Sequence, residues 1–429
     1  MTQPRMARPS AAEGESASAP SKSGLAPKAR DVRSIPFLEK CYQYERANRA
    51  REAGLYTFFR PIESAQDPEV TLCGRRMVML GSNNYLGLVN DPRVKEAAIQ
   101  AIRKYGSGCA GSRWLNGTLD LHVRLEERLA EFVRMESALV FATGFQVNLG
   151  VISSLVGRGD IAYLDKQDHA CIIDGARLSF GRARKFRHND TEDLRRMMRL
   201  DGSGTKSRLI VIDGVYSMEG DIAPLPEVIA AAREFKAAVM VDDAHGIGVL
   251  GPTGRGTAEH FGLESEVDLI MGTFSKSMAS IGGFVAGDAK VIDFIRHNAR
   301  TMIFSAAQPP ASAAAALAAV EIMETEPERR ERLWENTRFF TEGLRSLGFD
   351  TGLSQSPVVP VVVGEDLVAL TMVKRLHEEG IFVNCVLTPA TAPGRALIRT
   401  SLMATHRTEH LARALDAFQK VGRELGIVS

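Results

Sequence analysis

Apolar residues along this chain gather in short unbroken runs separated by stretches of helical periodicity. The runs are ALVFAT (138–143), IAYLD (161–165), RLIVIDGV (208–215), AAVMVDD (237–243), VDLIMGT (267–273) and GGFVAG (282–287). Continuous Val/Ile/Leu runs, rather than strict alternation, mark strands covered on both faces, as in a parallel sheet with helices on either side. The fold class this predicts is α/β. From about residue 308 the order changes to a long helix, the strand candidate PVVPVVVG (357–364), a helix around Leu370 to Glu379, the run IFVNCVL (381–387) and a last helix. That order reads as a small separate α+β domain over 308–429. At the other end, PFLEKCYQYERANRAREA (36–53) reads as one charged helix on the surface or bridging subunits, stopped at Gly54. Residues 1–30, rich in Ser, Ala, Pro and Lys without periodicity, read as a disordered tail. The expected division is 1–30 tail, 31–78 helix and extended segment, 79–307 large domain and 308–429 small domain.

Charge and cysteine usage narrow the classes. Lys+Arg 53 against Asp+Glu 52 gives a net charge of +1, without the basic bias of sequence-independent nucleic-acid binding, so no nucleic-acid partner is expected. Cys41, Cys73, Cys109, Cys171 and Cys385 form no C-x-x-C pair, which fits neither a disulfide framework nor a zinc site. No metal is expected, and the compartment reads as reducing and cytoplasmic. The most apolar stretch, 309–323, is alanine-rich and too short to span a bilayer.

Two glycine clusters fail as nucleotide sites. GSGCAG (106–111) has G-x-G-x-x-G spacing but follows a helical stretch instead of a strand, and GPTGRG (251–256) lacks the Lys-Ser/Thr ending of a P-loop. The ends of the strand candidates carry more chemistry, because ligands of open parallel sheets sit at the carboxyl ends of the strands. ATGFQ (142–146) turns from strand to helix and offers the N–H groups of Gly144 and Phe145 to a phosphate. His169 lies just past IAYLD, Asp242 and His245 lie at the end of AAVMVDD, and Lys276 stands in GTFSKS (272–277) past VDLIMGT. Each alone has a bland reading: an ordinary turn, a structural histidine, a buried carboxylate with some cationic partner. Together they describe a pyridoxal phosphate (PLP) site, with a lysine for the imine, a carboxylate for the ring nitrogen, a face for the ring and donors for the phosphate. Lys276, in a confined site, suits proton transfer at the substrate α-carbon.

With NNYLGL (83–88), GSGCAGSRWLNGTLDLH (106–122), FATGFQVN (141–148), DHACIIDG (168–175), DGVYSMEGDIAPL (213–225) and VDDAHGIGVLGPTGRG (241–256), the sequence resembles the α-oxoamine synthases from about residue 31 to its C-terminus. These are fold-type I PLP enzymes that condense an amino acid with an acyl-CoA and release CO2. The resemblance implies a mostly parallel seven-stranded sheet and PLP as cofactor. GTFSKS, GSRWLNGT and GLYTFFRPIES (54–64) are similar to the branch of the family that uses L-serine and palmitoyl-CoA, or another long acyl-CoA, to make 3-oxosphinganine for sphingolipid synthesis. Carried over by motif, Lys276 matches the Schiff-base lysine, Asp242 the pyridinium partner, His245 the hydrogen-bond partner of the phenolic oxygen and His169 the histidine over the ring. Gly144, Phe145, Ser217, Thr273 and Ser275 match phosphate or ring contacts. Ser305 in MIFSAAQPP matches a residue lent by the neighbouring subunit, which implies a homodimer with shared active sites. Asn84 and Arg399, with His169, match contacts to the substrate, Arg399 holding its carboxylate. Leu387 in NCVLTP departs from the arginine that soluble serine-using members often carry. Two rivals stay open: a glycine acyltransferase using a short acyl-CoA, and a non-catalytic partner subunit, against which Lys276, Asp242 and His169 argue together. Peripheral contact with the inner membrane face is also left open.

Overall fold

The computed structural model describes residues 35–429, so the expected tail over 1–30 lies outside the described residues. The chain divides into two compact units between Tyr56 and Thr57. In the first unit the expected single helix over 36–53 is two, Pro36–Tyr42 and Arg46–Glu52, neither with a buried residue. Phe37 and Tyr42, the large apolar residues at the two ends of the first, are exposed and not packed, so helices this short rest on local propensity and the chain breaks between them.

The second unit carries the strands. In chain order they are β1 (Glu69–Leu72), β2 (Arg75–Met79), β3 (Ser137–Phe141), β4 (Ile161–Asp165), β5 (Arg182–Phe186), β6 (Arg208–Asp213) and β7 (Ala238–Asp242). They continue with β8 (Leu269–Thr273), β9 (Gly283–Gly287), β10 (Val358–Gly364), β11 (Ile381–Phe382), β12 (Asn384–Val386) and β13 (Ala396–Ser401). A seven-stranded sheet has the order β3-β9-β8-β7-β6-β4-β5. All its pairs are parallel except those of β9, which runs antiparallel to both β3 and β8.

Unbroken apolar runs are what this sheet requires, because alternate residues of one strand serve different cores. In β4, Ile161 and Tyr163 join one buried cluster while Ala162 and Leu164 join the other. In β6, Ile210 and Ile212 divide from Leu209 and Val211 in the same way. The helices Gly144–Leu155 and Ala170–Leu178 cover one face; Asp120–Val133, Leu225–Phe235 and Pro310–Thr325 cover the other. Every parallel strand therefore opens its carboxyl end along one edge.

Two smaller sheets complete the unit. β10, β13 and β12 form an antiparallel sheet in that order, and Pro360 is tolerated in β10 because β10 is an edge strand. The run IFVNCVL, expected as one strand, divides at Val383: Ile381–Phe382 pairs with β2, and Asn384–Val386 pairs with β13.

Candidate active site

A cavity of about 340 Å³ opens at the carboxyl edge of the large sheet. Its wall is built strand by strand. After β3, Thr143 caps the helix Gly144–Leu155 by accepting the N–H of Gln146 at 3.2 Å, which leaves the first N–H groups of that helix facing outward. A Cβ on Gly144 would meet Thr273 Oγ1 at 2.5 Å, so only glycine lets this terminus close on the end of β8. Thr273 Oγ1 and Ser275 Oγ lie 3.0 Å apart on that second side.

After β4, His169 caps the next helix, its Nδ1 accepting the N–H of Cys171 at 3.3 Å, and its ring stands edge-on to Phe145 with centroids 6.4 Å apart. β6 and β7 end side by side, with Asp213 opposite Asp242 in the ladder. Asp242 Oδ2 accepts from Asn148 Nδ2 at 2.6 Å, and its Oδ1 accepts from the N–H of Ala244 at 3.1 Å. Asp213 Oδ2 accepts from the N–H of His169 at 3.2 Å, while its Oδ1 is buried without a partner. Lys276 enters from the turn after β8.

Charge inside the cavity follows from this crowding. Burial pulls the Lys276 ammonium down to about 8, against the opposite pull of Asp242 and Asp213. Lys276 keeps part of its surface open toward the cavity, so this shift belongs to a group at the edge of solvent. Burial, reinforced by the neighbouring Asp242, raises the Asp213 carboxyl well above the usual range. Burial, with Lys276 and Arg399 adding to it, lowers His245 well below the usual histidine value, so its ring is neutral at pH 7.

The residues singled out by motif divide into two groups. Gly144, Phe145, His169, Ser217, Asp242, His245, Thr273, Ser275 and Lys276 all line the cavity. Ser305, Asn84 and Arg399 do not. Ser305 Oγ accepts from Gln146 Nε2 at 3.1 Å, in the first turn of the helix that begins at Gly144. Arg399, on β13, donates from Nε to the carbonyl of the cavity residue Ser217 at 2.6 Å and from Nη2 to Asn83 Oδ1 at 3.1 Å. The side chain of Asn84 is committed elsewhere, donating to the carbonyl of Gln66 and accepting the N–H of Val89. Asn83 is therefore the asparagine that meets Arg399. Sequence reasoning also passed over Asp213, Asn148, Cys171 and Tyr85. Asp213 carried a usable signal, since it ends an apolar run as Asp242 does.

The donor set fits pyridoxal phosphate. A helix N-terminus with two hydroxyls suits a phosphate, a carboxylate fixed by Asn148 suits a protonated ring nitrogen, and a lysine with a lowered pKa suits an aldehyde. The fold and this cavity define a fold-type I PLP-dependent transferase. The family model for aminotransferase class I and II matches residues 75–418, and the chain belongs to that family. Within it, the chain is 51% identical to the serine palmitoyltransferase of Sphingobacterium spiritivorum, over 91% of this chain and 98% of that protein. It is 47% identical to the 8-amino-7-oxononanoate synthase of Symbiobacterium thermophilum, over 90% of this chain and 98% of the relative. Among solved structures, the serine palmitoyltransferase of S. paucimobilis with PLP and myriocin bound superposes with a TM-score of 0.88 at 38% identity, covering 93% of this chain and all of that one. The α-oxoamine synthase relationship expected from the motifs therefore holds.

Proposed function

We propose that this protein is a PLP-dependent acyltransferase that condenses L-serine with palmitoyl-CoA, or another long acyl-CoA, to give 3-oxosphinganine, CoA and CO2. The observation that carries the reading is the meeting of Lys276, Asp242, His169 and His245 in one cavity whose rim residue Ser217 is held by Arg399. The similarity to serine palmitoyltransferases over nine-tenths of the chain supports the choice of substrates.

When bound, PLP supplies an electron sink for negative charge at the amino-acid α-carbon. Gly144, Phe145, Thr273 and Ser275 would hold its phosphate, Asp242 its ring nitrogen and His245 its phenolic oxygen, with His169 against the ring. Lys276 exchanges a proton near neutral pH and is the base for the α-proton of serine. Arg399 holds the substrate carboxylate, with Asn83 fixing the guanidinium. The new carbon–carbon bond forms from the serine α-carbon to the acyl carbonyl as the thioester C–S bond breaks and CoA leaves as the thiol. The α-carboxylate then leaves as CO2, and a proton returns to the α-carbon.

We assign the active form to a homodimer with Ser305 reaching the other subunit's site, in the cytoplasm. Among the described residues no helix is long and apolar enough to cross a membrane. The test is CoA release from a panel of amino acids against acyl-CoAs of graded length. L-serine with palmitoyl-CoA should be the fastest pair. Faster turnover of glycine with acetyl-CoA, or of alanine with a dicarboxylic acyl-CoA, would overturn the assignment in favour of another α-oxoamine synthase.

A further inference from the structure

The loop after β2 touches both Arg399, which holds the rim residue Ser217, and a histidine in the cavity wall. Asn83 accepts from Arg399, and two residues on the Tyr85 hydroxyl lies 2.7 Å from His245 Nδ1. The loop is held from both sides. The Tyr85 carbonyl accepts the N–H of Ala404, just beyond the strand that carries Arg399, at 2.7 Å. Gly87, at φ +69°, lies so close to Thr405 that a Cβ there would come within 2.2 Å of its Cγ2. Tyr85 is only 1% exposed, so its hydroxyl needs a partner inside the protein.

Burial raises the Tyr85 hydroxyl above its usual range, so it keeps its proton. The groups beside its oxygen are the Arg399 guanidinium, which can only donate, and the Ser401 hydroxyl. With the guanidinium able only to donate, the strongest acceptor within reach of the Tyr85 proton is the His245 ring nitrogen at 2.7 Å, a better acceptor than a serine hydroxyl, so the proton goes to His245. The His245 ring is neutral and has one donor and one acceptor nitrogen. With Nδ1 accepting from Tyr85, the ring proton is on Nε2.

We propose that Tyr85 is a positioning residue: it fixes His245 in the tautomer that donates from Nε2 into the cavity, and the loop it belongs to couples that donor to Arg399. The inference rests on the PLP reading of the cavity. A tyrosine that merely fills space beside His245 would affect stability alone, whereas this one also sets the donor available to an oxygen of the ring.

Two measurements test it. The first is the nitrogen-15 histidine spectrum of the full wild-type chain, with His245→Gln assigning the signal. A protonated Nε2 with a bare Nδ1 is expected, and a protonated Nδ1 overturns the proposal without any need for a Tyr85 variant to fold. The second compares Tyr85→Phe with wild type by titration of the full chain with PLP. Loss of one neutral hydrogen bond should weaken binding roughly three- to ten-fold and release the tautomer preference of His245. The turnover number should fall by more than the KM for serine changes. A Tyr85→Phe chain that binds PLP within two-fold of wild type, with the His245 signal unmoved, overturns the proposal while the PLP reading stands. A wild-type chain that takes up no PLP overturns both.

Discussion

Lys276 and Arg399 are placed by different strands, and their variants should fail in different ways. Lys276 approaches neutrality because burial outweighs the attraction of Asp242 and Asp213, which brings it to about 8. A folded pKa below the ordinary lysine value means the amine is free over a window, from about 8 upward, in which an exposed lysine is still charged. Capture of PLP by the full chain should therefore accelerate as pH rises toward 8 and level off above it. A rate that keeps climbing to pH 10 would show that Lys276 is not the group that reacts. Lys276→Ala should bind PLP without becoming fixed to it by borohydride, and turnover should be lost. Arg399→Ala removes the group assigned to the carboxylate and leaves Lys276, Asp242, Thr273 and Ser275, none of which it hydrogen-bonds, in place. A charge-assisted bond of about 1.5–3 kcal/mol corresponds to a KM for serine raised roughly ten- to a hundred-fold. The PLP absorbance should be unchanged, and steady-state kinetics beside a spectrum decide the matter. With Leu387 where an arginine is common, nothing in NCVLTP offers a second cation to rescue that loss.

At the scale of elements, one half-buried histidine ties the ends of β4 and β5 to the loop that follows β6. His188 follows β5 by two residues; its Nδ1 meets Asp165 Oδ1 at the end of β4 at 3.0 Å, and its Nε2 meets Asp221 Oδ2 beyond β6 at 2.9 Å. Tyr216 stands edge-on to the ring, and Asn189 donates to the same Asp221 oxygen. Burial works against the charge of His188, but the hydrogen bonds to Asp165 and Asp221 outweigh it and raise the histidine to about 9. Because the folded value lies above the unfolded one, the stabilisation is complete below about pH 6.5 and is lost as pH rises through 9. The gap corresponds to an upper bound of roughly 3 kcal/mol. His188→Gln should melt well below wild type at pH 6–7, and the difference should shrink by pH 10; a difference constant with pH would mean packing, not charge, is what His188 supplies. The same three strands show what the sequence made legible. β4 and β6 were readable because each is apolar on both faces. β5, with the sequence RARKF, was not, because four of its five residues are exposed at the sheet edge, where basic side chains guard an open strand against pairing. The polar residues at the carboxyl ends were legible as a group because parallel strands put those ends on one edge. Tyr85, Asn148 and Asn83 were not, since their partners lie 94 to 316 positions away and only the folded chain brings them together.

For the molecule as a whole, the surface beside Ser305 bears on how the active form assembles. The segments 111–118 and 304–307 run together, with the N–H of Ala307 donating to the carbonyl of Gly111 at 2.9 Å. They carry three large apolar side chains to the surface: Trp114 at 48%, Leu115 at 78% and Phe304 at 73% exposure. Neighbouring exposed apolar groups of this size are costly in a monomer and characteristic of a surface that another protein covers. Phe145 and Ile281, both at the cavity, are also partly open, at 43% and 51%. A second copy packed on this surface would close the cavity and bring its Ser305 segment to it, in a two-fold interface that makes two equivalent sites. If each site needs residues of both chains, damage to different parts can be complemented. A Lys276→Ala chain and a chain carrying Ser305→Trp should each be inactive or nearly so. Co-expressed as mixed dimers, one site of the pair would bear both defects and the other neither, so activity should recover to about a quarter of wild type, since random pairing makes half the dimers mixed and each has one intact site of two. Phe304→Asp should shift the chain toward monomer in light scattering and lose activity in parallel. Full activity in a monomeric Phe304→Asp chain, or no recovery on mixing, would mean that each site is complete within a single chain.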